Sequence, residues 1–361
     1  MDPSTSNFSP NDELEASHFP LMDGLPDDIA LFCLARVPRK YHGVLKCVSK
    51  RWRDLVCSEE WRGYRQKHRL DETWIYALCR EKTTDQLRCY QLDPSLPRQG
   101  CWTLVSGLPS RCLKRKGMAF ESVGKKLYLL GGCGWSEDAS DEVYCYDAAV
   151  HAWSQVASMS TARCYFGCEV VDGKIYAIGG HGLETSDPHS WDTYDSNSNT
   201  WESHSDPNII VDIEDSVVMD GRIYIRSHAS AIPPHVSMAV FDPSSGRWLA
   251  ADADMACRWN GPAVVVDGTL YVLDQSSGTK LMMWRKDTKE WTAVCRLSSL
   301  LTRPPCQMVA IGRNIFIIGK GLSTVIFDVN DVGHSVAVRA GSSLPIVSSD
   351  NEVIRCKCVS I

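Results

Sequence analysis

The stretch VVDGKIYAIGG, Val170 to Gly180, decides the fold because it recurs along the chain. Tyr176 follows a Gly and a short apolar run. Four other aromatics stand in the same setting: Tyr128 in VGKKLYLLGG, Tyr224 in MDGRIYI, Tyr271 in VDGTLYV and Phe316 in IGRNIFIIG. Successive gaps are 48, 48, 47 and 45 residues. Downstream of the first four lies a second aromatic, always seven positions before a Trp. The pairs are Tyr146 and Trp153, Tyr194 and Trp201, Phe241 and Trp248, Trp284 and Trp291. A fixed period of this length marks an array of similar units.

The unit follows from its residues. Alternating apolar positions on either side of Asp172-Gly173 read as two strands joined by a tight turn, since Asp-Gly accepts the positive φ of hairpin turns. Gly179-Gly180 ends the second strand where the chain turns with little room for side chains. A third strand carries Tyr194 and is followed by the turn formers Asp195, Asn197 and Asn199; a fourth holds Trp201. Such a sheet cannot bury both faces alone. Radial stacking buries them, with the repeated Tyr and Trp packed between neighbours. Gly-Gly, Tyr-Asp and Trp at these offsets resemble the kelch motif over residues 73 to 361.

The array is expected to close as a six-bladed β-propeller. The first blade is incomplete. TWIYALC and QLRCYQLD read as its second and third strands and Trp102 marks its fourth, but only helix-patterned sequence precedes Trp74. After sixth-unit strands near Val325 and Val336, a spare strand-like run remains, Glu352 to Ile361. It is expected to supply the missing innermost strand of blade one, which removes an open sheet edge. Blades four to six are degenerate: Arg226-Ser227 and Asp274-Gln275 replace Gly-Gly, and the sixth keeps only Gly319 and lacks its Trp.

Ahead of the array runs FPLMDGLPDDIALFCLARVPRKYHGVLKCVSKRWRDLVCSEEWR. Pro26 suits a first helical turn, followed by Asp27 and Asp28 where the helix dipole favours negative charge. Ile29, Phe32 and Cys33 share one face until Pro38 ends the helix. A second helix is expected over Arg39 to Val48, and a third after Ser49 with Trp52, Leu55 and Val56 on one face. Three short helices bury little surface for an independent fold, so the unit is expected to need a partner. Leu25-Pro26 with Ile29, Val37-Pro38, and VSKRWRDL from Val48 to Leu55 resemble the F-box over residues 20 to 66. The whole is thus an α+β multidomain chain: a tail over 1–19 expected to be disordered, a small three-helix F-box, and an all-β propeller over 73–361. Residues 65 to 73 (RQKHRLDET) read as a short polar junction holding the two parts in a fairly fixed relation.

Charge is uneven. The net is −6, yet residues 1 to 28 hold seven acids and no base, and residues 36 to 69 hold eleven Lys or Arg against three acids. A basic block invites nucleic acid. This one is helix-patterned with an apolar stripe and no aromatic platform, so nucleic acid is not expected as a partner. No apolar run in residues 1 to 20 reads as a signal peptide, and no stretch is long enough to span a membrane. The sixteen Cys are scattered, many in strand-like runs, and read as free thiols of a reducing compartment, cytoplasmic or nuclear. Cys356 and Cys358 form a lone C-x-C without a second pair, so no zinc site is expected there. No cofactor is expected.

The F-box resemblance implies docking on a Skp-type adaptor and, through it, a cullin-containing (SCF) ubiquitin ligase. The family's contact positions carry over to Leu25, Pro26, Ile29, Val37, Pro38, Val48 and Trp52, of which Val48 and Trp52 read equally as internal packing. The kelch resemblance implies a propeller that holds a target protein, in a chain that catalyses nothing. Two alternatives stand: a scaffold working outside degradation, and a kelch-type metalloenzyme, against which the dispersed His residues count.

One pattern is not demanded by packing. Thirteen residues before the anchoring aromatics stand Arg115, Arg163, Arg258 and Arg303, whereas Tyr224 gives Val211 beside the acidic run Asp212, Glu214, Asp215. These arginines are expected at one mouth of the central channel. There they read either as ties on inter-blade loops or as a rim for an acidic or phosphorylated target. Trp135, in the loop Cys133 to Asp141, is a candidate exposed anchor on that face, which the loop His181 to Ser190 is expected to shape as well.

Overall fold

The computed structural model describes residues 20–95, 101–135, 138–182, 187–210, 212–229, 235–331, 338–340 and 350–361. The expected tail over 1–19 lies outside them. Two compact units meet between Glu72 and Thr73.

The first unit is helical: α1 (Asp27–Ala35), a 3-10 turn (Arg39–Tyr41), α2 (His42–Val48), α3 (Lys50–Cys57) and α4 (Glu59–Lys67). Ser49 caps α3 as expected, its hydroxyl accepting from the Trp52 amide at 3.1 Å. The fourth helix departs from the three expected. Its sequence EEWRGYRQK is polar and contains Gly63, so periodicity hides it, but Ser58 caps it by accepting from the Trp61 amide. Trp61 is buried against Leu34, Ala35, Leu45 and Val56, with His42 edge-on at 5.4 Å. The junction is therefore not all linker. Arg65 is 5% exposed and donates to the carbonyls of Ala35 and Leu70, with Glu72 paired to it at 3.0 Å. A guanidinium on the terminal carbonyls of α1 satisfies acceptors that the helix itself cannot.

The second unit is six four-stranded antiparallel sheets. The sheet of the quoted stretch is Gly167–Val171, Lys174–Ile178, Ser190–Asp195 and Thr200–Ser205. Its first turn holds Asp172 and Gly173 at φ 51° and 75°, the left-handed pair expected of Asp-Gly. Gly180 has φ 83°, and a Cβ there would lie 2.6 Å from Phe166, so the backbone needs glycine. The seven-residue aromatic spacing is a cross-strand pairing: Tyr194 stands opposite Trp201, Tyr146 opposite Trp153, Phe241 opposite Trp248 and Trp284 opposite Trp291. Their rings lie 4.8 to 5.4 Å apart. The anchoring aromatic of each sheet meets the third strand of the next. Tyr76 reaches Tyr146 at 6.1 Å, Tyr128 reaches Tyr194 at 5.7 Å and Tyr176 reaches Phe241 at 6.0 Å. Among the described residues, six apolar clusters result, one at each junction between neighbouring sheets.

Glu352–Ser360 pairs with Thr73–Arg80 and completes the first sheet from the inside, as the spare C-terminal run implies. The sixth sheet ends with Val338–Ala340; the strand expected near Val336 lies partly outside the described residues. All sixteen cysteines are free, eight of them buried. Cys356 packs in the junction between the first and sixth sheets, and the Cys358 thiol faces the Ala310 carbonyl at 3.7 Å.

Candidate docking surfaces

In the helical unit α1 is apolar on several sides beyond its acidic first turn, and only part of it is used internally. Ala30, Leu34 and Ala35 are buried, whereas the Ile29, Phe32 and Cys33 stripe faces outward. Leu25, Ile29, Phe32, Tyr41, Val44 and Val48 are each 37% to 62% exposed, a group of large apolar side chains that no packing need accounts for. Pro26 and Pro38 are exposed beside them. Val37 and Trp52 differ: both pack against the unit's core, and the Trp52 indole donates to the Leu21 carbonyl at 2.7 Å. Of the two positions left open in the sequence, Val48 faces out and Trp52 in. Phe32, Tyr41 and Val44 escaped sequence reasoning as surface residues, although the Ile29–Phe32–Cys33 stripe was already legible.

In the propeller the four arginines stand on the chain leading into innermost strands, at the end of the sheets that carries the longer loops. They do not form a common rim. Arg163 is 2% exposed. It donates to the Gly179 and Ser190 carbonyls and the Ser190 hydroxyl, and pairs with the fully buried Asp192 at 3.2 Å. Burial alone pushes its pKa down and Asp192 opposes that shift. Arg163 therefore ties its own blade together and is closed to a ligand. Arg258 and Arg303 are exposed. Arg115 is mostly buried and pairs with Glu142 at 2.7 Å, but its Nη1 has no hydrogen-bond partner. Burial raises the Glu142 carboxyl, yet hydrogen bonds from Arg115 and Arg111 outweigh it and hold the group below its usual range. Val211 lies outside the described residues. In that blade Arg226, two positions past Tyr224, pairs with Glu214 at 2.5 Å. Trp135 is 96% exposed, with Lys116 Nζ 5.7 Å from its ring centre.

None of the four arginines lines the cavity of about 80 Å³ at the channel's centre. Its charges come from elsewhere on the innermost strands. Glu121, Glu169 and Asp215 face Arg355 and Lys357, both from the closing strand. Lys357 pairs with Glu121 at 2.5 Å and Arg355 with Asp215 at 3.3 Å, while the Ser216 hydroxyl donates to Glu169 at 2.9 Å. Burial raises all three carboxyls, Glu169 to about 8. This is a nearly balanced network across the channel, fit to hold the closing strand. Among the described residues no three His, Cys, Asp or Glu side chains gather as a metal ion would require. No helix there is long and apolar enough to cross a membrane.

Comparison with known proteins agrees with both units. The F-box domain model matches residues 22–62, and the FKB95 kelch-repeats domain model matches residues 75–340. The chain is 50% identical over 345 residues to F-box/kelch-repeat protein SKIP4 of Arabidopsis thaliana, covering 94% of each. It is 25% identical over 350 residues to F-box/kelch-repeat protein SKIP30 of the same plant, covering 93% of this chain and 94% of that one. The solved structure of YjhT superposes with a TM-score of 0.51 at 14% identity, over 71% of this chain and 91% of that one, a likeness of fold. With the helical face and the closed six-bladed array in place, the chain belongs to the F-box/kelch-repeat family.

Proposed function

We propose that the chain is the target-recognition subunit of an SCF-type ubiquitin ligase. The outward face of α1 and α2 docks a Skp-type adaptor and through it a cullin, while the propeller holds a protein target. In this reading the chain supplies no catalytic group; it sets which protein is brought to the ligase. The observation that carries the reading is the uncovered apolar group Leu25, Ile29, Phe32, Tyr41, Val44 and Val48 on a unit that matches the F-box. Covering such side chains contributes roughly 25 cal/mol per Å² of apolar surface removed from water. Truncating two of them, Leu25→Ala and Ile29→Ala, is expected to weaken adaptor binding by at least about tenfold. The propeller should melt unchanged, because it has cores of its own. The test is titration of purified full-length chain with a purified Skp-type adaptor. Undiminished binding by the double variant contradicts the reading.

A further inference from the structure

The two mostly buried or tied arginines leave open where a target is gripped, and a groove beside the first two blades answers. It has a volume of about 530 Å³. It is lined by Asp85 and Gln86, by residues of the segment Ser110–Lys116, and by Gly134 with Trp135. Four cations line it, Arg111, Lys114, Arg115 and Lys116, against two carboxylates, Asp85 within it and Glu142 behind it. Among the described residues the excess is thus two positive charges. Lys114 is exposed and has no ion-pair partner among the described residues. Trp135 stands almost free of the protein at the rim. Tyr165, half-exposed and in a left-handed conformation (φ 52°), donates its backbone N–H to the Gly117 carbonyl at 2.9 Å.

We infer that this groove docks an acidic segment of the target protein, with neighbouring carboxylates on Lys114 and Lys116 and an adjoining apolar side chain against Trp135. The inference rests on reading the propeller as the target-holding unit and deepens it. Charge complementarity selects the occupant: a basic or neutral segment gains nothing from Lys114, and Trp135, 96% exposed, meets only the Lys116 ammonium beside its ring. Carboxylates fit better than a doubly charged phosphate, because Arg111 and Arg115 already share Glu142. One free ammonium flanked by paired cations suits singly charged groups spaced along a chain. The indole offers a rigid apolar surface of the kind that anchors interfaces.

The probe is a fluorescein-labelled peptide carrying Asp-Glu-Leu-Asp-Glu in a Gly-Ser frame, titrated into the full chain by fluorescence anisotropy. Binding is expected to weaken at least about tenfold when Lys114→Glu and Lys116→Glu are combined, and similarly with Trp135→Ala. Raising salt from about 0.05 M to about 0.5 M should weaken the parent and hardly affect the charge-reversed form. All three positions are exposed or partly exposed, so melting should not move; Arg111→Glu serves as a second variant if it does. Equal binding of the Lys-for-Glu peptide overturns the inference, as does equal binding by the variants. Binding confined to a phosphoserine version overturns the choice of carboxylates. Binding that emerges only after removal of residues 1–19 shows that the chain's own acidic segment is the occupant, and overturns the partner. Adaptor titration with the same variants separates this from the ligase reading: it should be unaffected, and its failure in the parent would count against the ligase alone.

Discussion

Arg163 shows how one residue type at one repeat offset takes different work in different blades. Its guanidinium has two carbonyls, a hydroxyl and a buried carboxylate around it, and no route to solvent. Removing it strands Asp192, fully buried, with a hydrogen bond from the Thr161 backbone N–H but no counter-charge. Breaking a buried pair from one side costs about 3–5 kcal/mol. Arg163→Ala is therefore expected to lower the melting temperature of the propeller markedly, and a melt matching the parent refutes the structural role. Arg303→Ala, at an exposed position, should melt within a degree or so of the parent. The offset of thirteen residues was legible in the sequence. The division of labour was not, because it depends on how deeply the acid facing each guanidinium is buried: Asp192 is fully buried against Arg163, whereas Glu142 beside Arg115 is partly exposed.

At the scale of elements, the closing strand carries the most consequence. Glu352–Ser360 contributes Val353, Cys356 and Val359 to junctions with both neighbouring sheets, and Arg355 and Lys357 to the channel. Deleting it opens an edge on Thr73–Arg80, whose six central residues are buried. Aggregation or a large drop in melting temperature is the expected result; a truncated protein that melts like the parent places closure elsewhere. Lys357→Met is a finer probe. It keeps the strand and leaves Glu121 buried without its cation, so a loss of stability beyond about 1 kcal/mol is expected in chemical denaturation. This architecture was readable because each unit repeats its turn chemistry and aromatic pairing, and because a strand was missing at one end and spare at the other. The helical unit was less readable. Its α4 is mostly polar and is held through Trp61, Tyr64 and Arg65, which composition alone does not single out, whereas the Ile29–Phe32–Cys33 stripe on one face of α1 was legible and faces outward.

For the whole molecule, two units with separate cores imply two stabilities, and their buried titratable groups push these in opposite directions with pH. In the helical unit burial first, then the nearby Arg65 charge, lowers His42 to about 4. An unfolded His titrates near 6.5. Below that value the unfolded chain binds a proton the folded unit refuses, so this stability is present above about pH 6.5 and is lost as pH falls toward 4. In the propeller Glu169 is raised to about 8 by burial, with Glu121 adding and Lys357 opposing. Unfolded, it titrates near 4.5. The folded propeller therefore holds a proton the unfolded chain gives up, and this stability is lost as pH rises from about 4.5 through 8. Glu121 and Asp215 shift the same way, which strengthens the trend. Hydrogen exchange, corrected for intrinsic rates, is expected to show α1 to α4 less protected at pH 5 than at pH 7.5. Between pH 6 and pH 8.5 the innermost strands should lose protection as pH rises. Glu169→Gln should flatten the second trend and leave the first intact, whereas His42→Gln should do the reverse. Parallel trends in both units would contradict the assignment, since a single coupled core would have to answer to both groups at once.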